Sequence, residues 1–232
     1  MTDNTKQRVP ISTLILYSVY LYAAWFIYHF FIIKYINNIP NELISGVVND
    51  GICKNLIWTL PAFMLIGKYS GSVAFSPNKL IKFEKAHIKY LLLFPAFLLY
   101  ILFGMLIHKT PIAISVTAKQ LITVLFVGLT EEIVFRGWLL NATLPYAKPS
   151  SEGEELSPSQ YIVIGINALM FLAIHFPRWL SEGIFVFNFA SLGFISIIVL
   201  SAVFSLVFIK TKSLILPVTL HMFWDLIIFA VN

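Results

Sequence analysis

One cysteine, Cys53, and a charged fraction of only 12% define what this 232-residue chain does without. A lone cysteine has no partner for an internal disulfide or a thiolate metal site. Soluble domains carry about 25% charged residues. At 12%, with 59% hydrophobic residues and a mean hydropathy of +0.85, there is too little polar surface to face water. The chain therefore reads as an integral membrane protein. Low-complexity segments and an internal repeat of fixed period are also missing, which removes solenoid architectures. The first apolar run, Ile11 to Ile33, exceeds the roughly 7–15 residue core of a cleavable signal, and no small-x-small cleavage site follows it. It reads as an uncleaved first span.

The formal charge of +5 does not point to nucleic acid. The lysines fall in short loops between apolar runs and never form a stripe interleaved with aromatics. Membrane topology is the better account, because cytoplasmic loops accumulate Lys and Arg. At roughly 20 residues per span, the length suits an all-α bundle of about seven transmembrane helices, with no room for a separate soluble domain. The expected spans are Ile11 to Ile36, Asn55 to Phe75, Ile88 to His108, Val116 to Leu144, Gln160 to Phe176, Phe185 to Ile209, and Ser213 to Val231. Pro61 and Lys68 make the second the weakest, open to a re-entrant reading. With seven crossings, Lys79, Lys82, Lys85 and Lys89 place their loop and the N-terminus in the cytoplasm, with Lys210 and Lys212 on the same side. Glu152, Glu154 and Glu155 oppose this only mildly, since acids weigh little in the rule. The cell (inner) membrane is the expected location.

Residues from Val116 onward hold the intramembrane ionisable groups, and the first three spans hold almost none. Residues 1–115 are thus expected to support a core formed by 116–232. In that core, Glu131-Glu132-Ile133-Val134-Phe135-Arg136 sets two adjacent carboxylates and a guanidinium inside an apolar run, where ionisable groups are expensive and function is their default explanation. Glu132 and Arg136 are four apart on one helix face, acid before base, and can pair. Glu131 lies about 100° round the axis and lacks that partner, which leaves it available as a base or ligand. A structural reading also exists, with one acid paired and the other snorkelling to an interface. His175 precedes Pro177, which is expected to end its helix. His221 and Asp225, four apart on the last span, can share a metal or hydrogen-bond each other. His29, His87 and His108 lie near interfaces or loops and receive no role.

At these residues the chain resembles the CAAX protease and bacteriocin-processing (Abi) family of intramembrane endopeptidases. That family carries Glu-Glu-x-x-x-Arg, then Phe-x-x-x-His, then His-x-x-x-Asn or His-x-x-x-Asp on successive core helices. Here the same order is Glu131-Glu132…Arg136, Phe171…His175 and His221…Asp225. The resemblance implies that Glu131 and His175 activate a water for attack on a peptide carbonyl, and that His221 and residue 225 stabilise the oxyanion. Prenyl-protein endopeptidases of the family usually carry Asn at the last position, and ionised Asp225 cannot donate as an amide does. Asp225 then either is protonated, orients His221, or ligates a metal. Glu131, His175, His221 and Asp225 would make an acceptable set for one divalent ion such as Zn²⁺, beside a metal-free alternative. Counting helix rise places His175 several Å deeper than Glu131 or His221 unless a helix tilts or starts inside a vestibule.

Other intramembrane hydrolytic apparatus is absent: no His-Glu-x-x-His, no Gly-x-Ser-Gly, no intramembrane aspartate pair. The leading expectation is an endopeptidase acting on a membrane-associated protein or peptide, with lipid as its surroundings. A proton- or cation-coupled transporter using the same four residues is the alternative, weakened by the lack of repeated halves. A non-catalytic immunity or assembly factor is the third.

Overall fold

The computed structural model describes residues 7–108, 115–148 and 156–231, which are mostly helical and contain no strand. The acidic loop residues Glu152, Glu154 and Glu155 lie outside the described residues. Among the described residues seven helical rods carry the chain: α1 Ile11–Asn37, α2 residues 42–68, α3 Lys85–Ile107, α4 residues 118–146, α5 Pro158–Ser181, α6 Gly193–Thr211 and α7 Ile215–Val231. Four of them, α1, α3, α5 and α6, are long and apolar enough to cross a membrane, and α7 is apolar but shorter. The other two carry charges inside apolar runs: Asp50 and Lys54 in α2, and Glu131, Glu132 and Arg136 in α4, all buried. Leu16, Leu106 and Val199 are more than half exposed on the outer faces of the bundle, a surface suited to lipid. The fold is an all-α membrane helix bundle.

Local chemistry sets the helix starts. Thr117 and Gln120 form a reciprocal cap at the head of α4, and Ser157 and Gln160 do the same for α5, with Pro158 in the first position. The Asn41 side chain accepts from the Ile44 N–H at 3.1 Å and opens α2. That helix begins well before Asn55, where hydropathy placed its start, because Asp50 and Lys54 masked its first half. Pro61 does not interrupt it: the ring sits in the first turn of Leu60–Lys68, just after wide π-helical turns at Asn55–Thr59. Pro177 likewise opens a turn. The helix Pro158–Ala173 stops, and Phe176–Ser181 resumes with Pro177 in its first turn. The expected sixth span, Phe185 to Ile209, is divided into Phe185–Ala190 and Gly193–Thr211 by Leu192, whose φ is +62°.

α4 lies between α2 and α7, while α5 packs on α6 and α3 on α7. Two glycines allow the close approaches. A Cβ on Gly128 would lie 2.8 Å from Met222 Cγ and 3.2 Å from the Met222 backbone nitrogen, so α4 and α7 touch beside His221. A Cβ on Gly51 would meet the Phe126 ring at 3.2 Å, which draws α2 against α4 one turn before Lys54. Beyond Glu132, α4 widens into π-helical turns over Ile133–Leu140, and every residue there is buried. Such turns often mark functional sites. α1 is tied to the core by the Tyr22 hydroxyl donating to Met170 O at 2.6 Å and Tyr17 donating to Trp58 O at 3.2 Å.

Candidate active site

The last α-helical turn of α4, before it widens, delivers Glu131 and Glu132 into the bundle interior, 5% and 0% exposed. Glu132 is held twice. Arg136 NH1 donates to its Oε1 at 2.9 Å, and the same oxygen is 2.8 Å from His221 Nδ1. The expected Glu132–Arg136 pair is present, and Arg136 also donates to Ser201 O at 2.9 Å and Ser201 Oγ at 2.8 Å. Its guanidinium lies over the Phe171 and Phe204 rings at 4.8 and 5.5 Å. Phe204 in turn stacks on the His221 imidazole, 5.2 Å between centroids and 26° between planes. Phenylalanines thus wall the charged cluster on two sides, where water would otherwise screen it.

Glu131 is not the unpartnered acid that its place on α4 suggested. Lys54 Nζ donates to its Oε1 at 2.6 Å, with both side chains buried. The ammonium also lies 4.7 Å from the Trp58 ring centroid and 5.7 Å from that of Trp25, where aromatic faces favour a cation. The first three spans are therefore not free of buried polar groups: His29, Asp50 and Lys54 are all buried there. Hydropathy missed Lys54 because it stands at the edge of an apolar run. The available signal was its spacing of four from Asp50, although Asp50 pairs elsewhere, accepting from Thr123 Oγ1 at 2.8 Å.

The second oxygen of Glu131 faces His221, with Oε2 3.8 Å from Nε2. Asp225 Oδ2 lies 3.7 Å from the same nitrogen, and the Asp225 side chain is 21% exposed. Both separations exceed a hydrogen bond, so His221 Nε2 is committed to neither carboxylate. Its other nitrogen is fixed by Glu132. His175 sits at the break in α5 and turns Nδ1 to the Phe171 carbonyl at 2.8 Å, which leaves Nε2 without the proton in the neutral ring. The Phe171 ring lies 5.2 Å from the His175 ring and 5.9 Å from that of His221. Among the described residues His175 makes no hydrogen bond or ion pair with Glu131, His221 or Asp225, and the Phe171 ring is the group that touches both imidazoles.

Glu131, His221 and Asp225 thus meet around one nitrogen inside an apolar bundle. A family model described as type II CAAX prenyl endopeptidase Rce1-like matches residues 113–227. Residues 113–227 are an Rce1-like domain. No curated protein and no solved structure matches it. The Rce1-like stretch contains α4 to α6, most of α7 and all four residues singled out in sequence, and the family is one of intramembrane CAAX proteases. Lys54 comes from outside the matched region.

Rce1-like membership leaves open whether an ion takes part. As arranged, among the described residues no group of three or more His, Cys, Asp or Glu side chains could hold a metal ion. The bonds present engage Glu131 Oε1 and the Nδ1 atoms of His221 and His175, and they leave Glu131 Oε2 and both Nε2 atoms outside any hydrogen bond among the described residues, the arrangement in which an imidazole held through one nitrogen can still ligate through the other.

Proposed function

We propose that this chain is an intramembrane endopeptidase that hydrolyses a peptide bond of a membrane-associated protein or peptide through water activated by Glu131 and His175. The observation that carries the reading is the buried meeting of Glu131 Oε2, His221 Nε2 and Asp225 Oδ2 within an Rce1-like domain. Three carboxylates, Glu131, Glu132 and Asp225, face two cations, Lys54 and Arg136, so the cluster is neutral when His221 is an imidazolium, with Nδ1–H on Glu132 and Nε2–H free to donate. The unengaged oxygen of Glu131 and Nε2 of a neutral His175 then remain to accept the proton that leaves an attacking water.

The steps follow from the free atoms. Water attacks the carbonyl carbon, a C–O bond forms, and its proton passes to Glu131 Oε2 or His175 Nε2. The carbonyl oxygen becomes an oxyanion, which the imidazolium form of His221 meets through Nε2–H while Glu132 holds the opposite nitrogen. The C–N bond then breaks, and the captured proton goes to the leaving amine. Lys54 fixes Glu131 by one oxygen and leaves the other for water. Glu132 orients His221 through Nδ1, and Asp225, 3.7 Å from Nε2, favours the charged ring and does not itself donate. In the membrane, the lysine-bearing end and the N-terminus face the cytoplasm, in the cell (inner) membrane.

The test is cleavage of a CAAX-type and general membrane-peptide library by purified protein, read by mass spectrometry. Glu131→Ala and His175→Ala are each expected to abolish cleavage while the protein still inserts in the membrane, and Glu131→Ala also lowers Tm because it leaves Lys54 buried without its carboxylate. Asp225→Asn keeps a measurable rate, and Asp225→Leu loses it. Cleavage retained by the Glu131→Ala protein overturns the proposal.

A further inference from the structure

At one end of the bundle, where α3 begins and α6 stops, a cavity of about 260 Å³ opens among Lys79, Lys82, Lys89, Lys210 and Lys212, with His87 in its wall and Glu84 as its one acid. The ammonium groups of Lys79, Lys82, Lys89 and Lys212 around so small a space repel one another, and Glu84 does not balance the four of them. The cavity is built, not incidental. Leu80, buried beneath it, accepts at its carbonyl from the Leu214 N–H at 2.8 Å and from Ser213 Oγ at 3.2 Å, which ties the Pro77–Leu80 turn to the α6–α7 link. Lys212 holds a φ of +56° in that link, a conformation in which glycine or asparagine is favoured over lysine.

His87 says what kind of ligand fits. It is buried, and its Nδ1 accepts from the Glu84 N–H at 3.1 Å, so the ring proton sits on Nε2. No protein acceptor takes that proton among the described residues. The cavity therefore offers one oriented N–H and several ammonium donors, and its complement is a compact anion rich in oxygen acceptors. It stands at the ends of two membrane spans, Lys85–Ile107 and Gly193–Thr211, which is headgroup depth.

We propose that this cavity binds the phosphate of an anionic phospholipid headgroup. Basic pockets between spans at a membrane interface recognise such headgroups. The bound lipid clamps the α6–α7 link, and α7 runs from there to His221, so the occupant steadies the helix that carries the imidazole. The proposal is independent of the hydrolytic reading.

The full chain is purified in detergent, exchanged with phosphatidylglycerol or phosphatidylcholine, and examined by native mass spectrometry and thermal unfolding. Retention of phosphatidylglycerol over phosphatidylcholine, with a higher Tm, is expected. The triple variant Lys82→Gln, Lys89→Gln, Lys212→Gln is expected to weaken that retention about a hundredfold, since each lysine near a membrane surface contributes about fivefold. The corresponding triple arginine variant retains the lipid, and Lys34→Gln with Lys68→Gln, both away from the cavity, has no effect. Inorganic phosphate tested alone separates the sources: if it raises Tm as much as phosphatidylglycerol does, the phosphate site stands and the lipid assignment falls. Equal retention by native and triple-Gln protein, or equal loss in the Lys34/Lys68 control, overturns the site.

Discussion

Lys54 completes a carboxylate that its own helix leaves unpaired. Replacing it by Met removes the 2.6 Å bond and leaves Glu131 buried without a counter-charge. Removing one preorganised charge at a reacting centre costs about a hundredfold in rate. Lys54→Met is therefore expected to lower kcat by about that factor with KM within a factor of about two, and Lys54→Arg recovers part of it. A purely structural lysine would change Tm without that kcat and KM split, so steady-state kinetics on both variants decide. Arg136 carries a different load. It is fully buried, bonded to Glu132 and Ser201, and sandwiched by Phe171 and Phe204. Breaking a buried pair by removing one partner costs about 3–5 kcal/mol, so Arg136→Leu should unfold far earlier in a thermal scan. At this scale the sequence was most legible within one helix: the spacing of four declared the Glu132–Arg136 pair, while the same spacing brought Asp225 to 3.7 Å from His221 Nε2 without a hydrogen bond. It was least legible between helices, since nothing local says that Lys54 meets Glu131, or that Glu132 and not Asp225 takes His221 Nδ1.

Helix positions depend on contacts finer than hydropathy sees. Gly128 is the point where α4 and α7 touch, and any Cβ there must displace Met222. Gly128→Ala presses mainly on the flexible Met222 side chain, and a modest fall in activity is expected. Gly128→Val pushes on the Met222 backbone as well, drives His221 away from Glu131 and Glu132, and should reduce cleavage at least tenfold while the protein still inserts. Activity and Tm measured together on the pair check the ordering. The spans themselves were readable wherever apolar residues ran unbroken, as in α1 and α3. Reading failed where buried charges or a turn interrupt the run: α2 was cut short by Asp50 and Lys54, and Phe185 to Ile209 hid a break at Leu192. Pro177 predicted a stop, and the chain instead resumed as a second helical piece, with His175 at the bend between the two.

For the molecule as a whole, the family match begins at residue 113, yet the lysine on Glu131 comes from residue 54. The supporting half is thus expected to be required for turnover. A chain holding residues 113–232 alone should be inactive, and coexpression with residues 1–112 as a separate piece should restore cleavage if the two halves reassemble. Activity of the C-terminal piece by itself would show that Lys54 is dispensable. The Lys54–Glu131 pair also bears on biogenesis. A lysine or an acid at the middle of a nascent helix disfavours release from the translocon by about 2.5–3.5 kcal/mol, and here the two partners are synthesised 77 residues apart. The α2 segment must wait, lodged against the insertion machinery or shielded by a chaperone, until α4 arrives to neutralise it. Ribosome-stalled chains ending just before Glu131 should therefore stay crosslinked to the insertase, and those ending after α4 should partition into lipid.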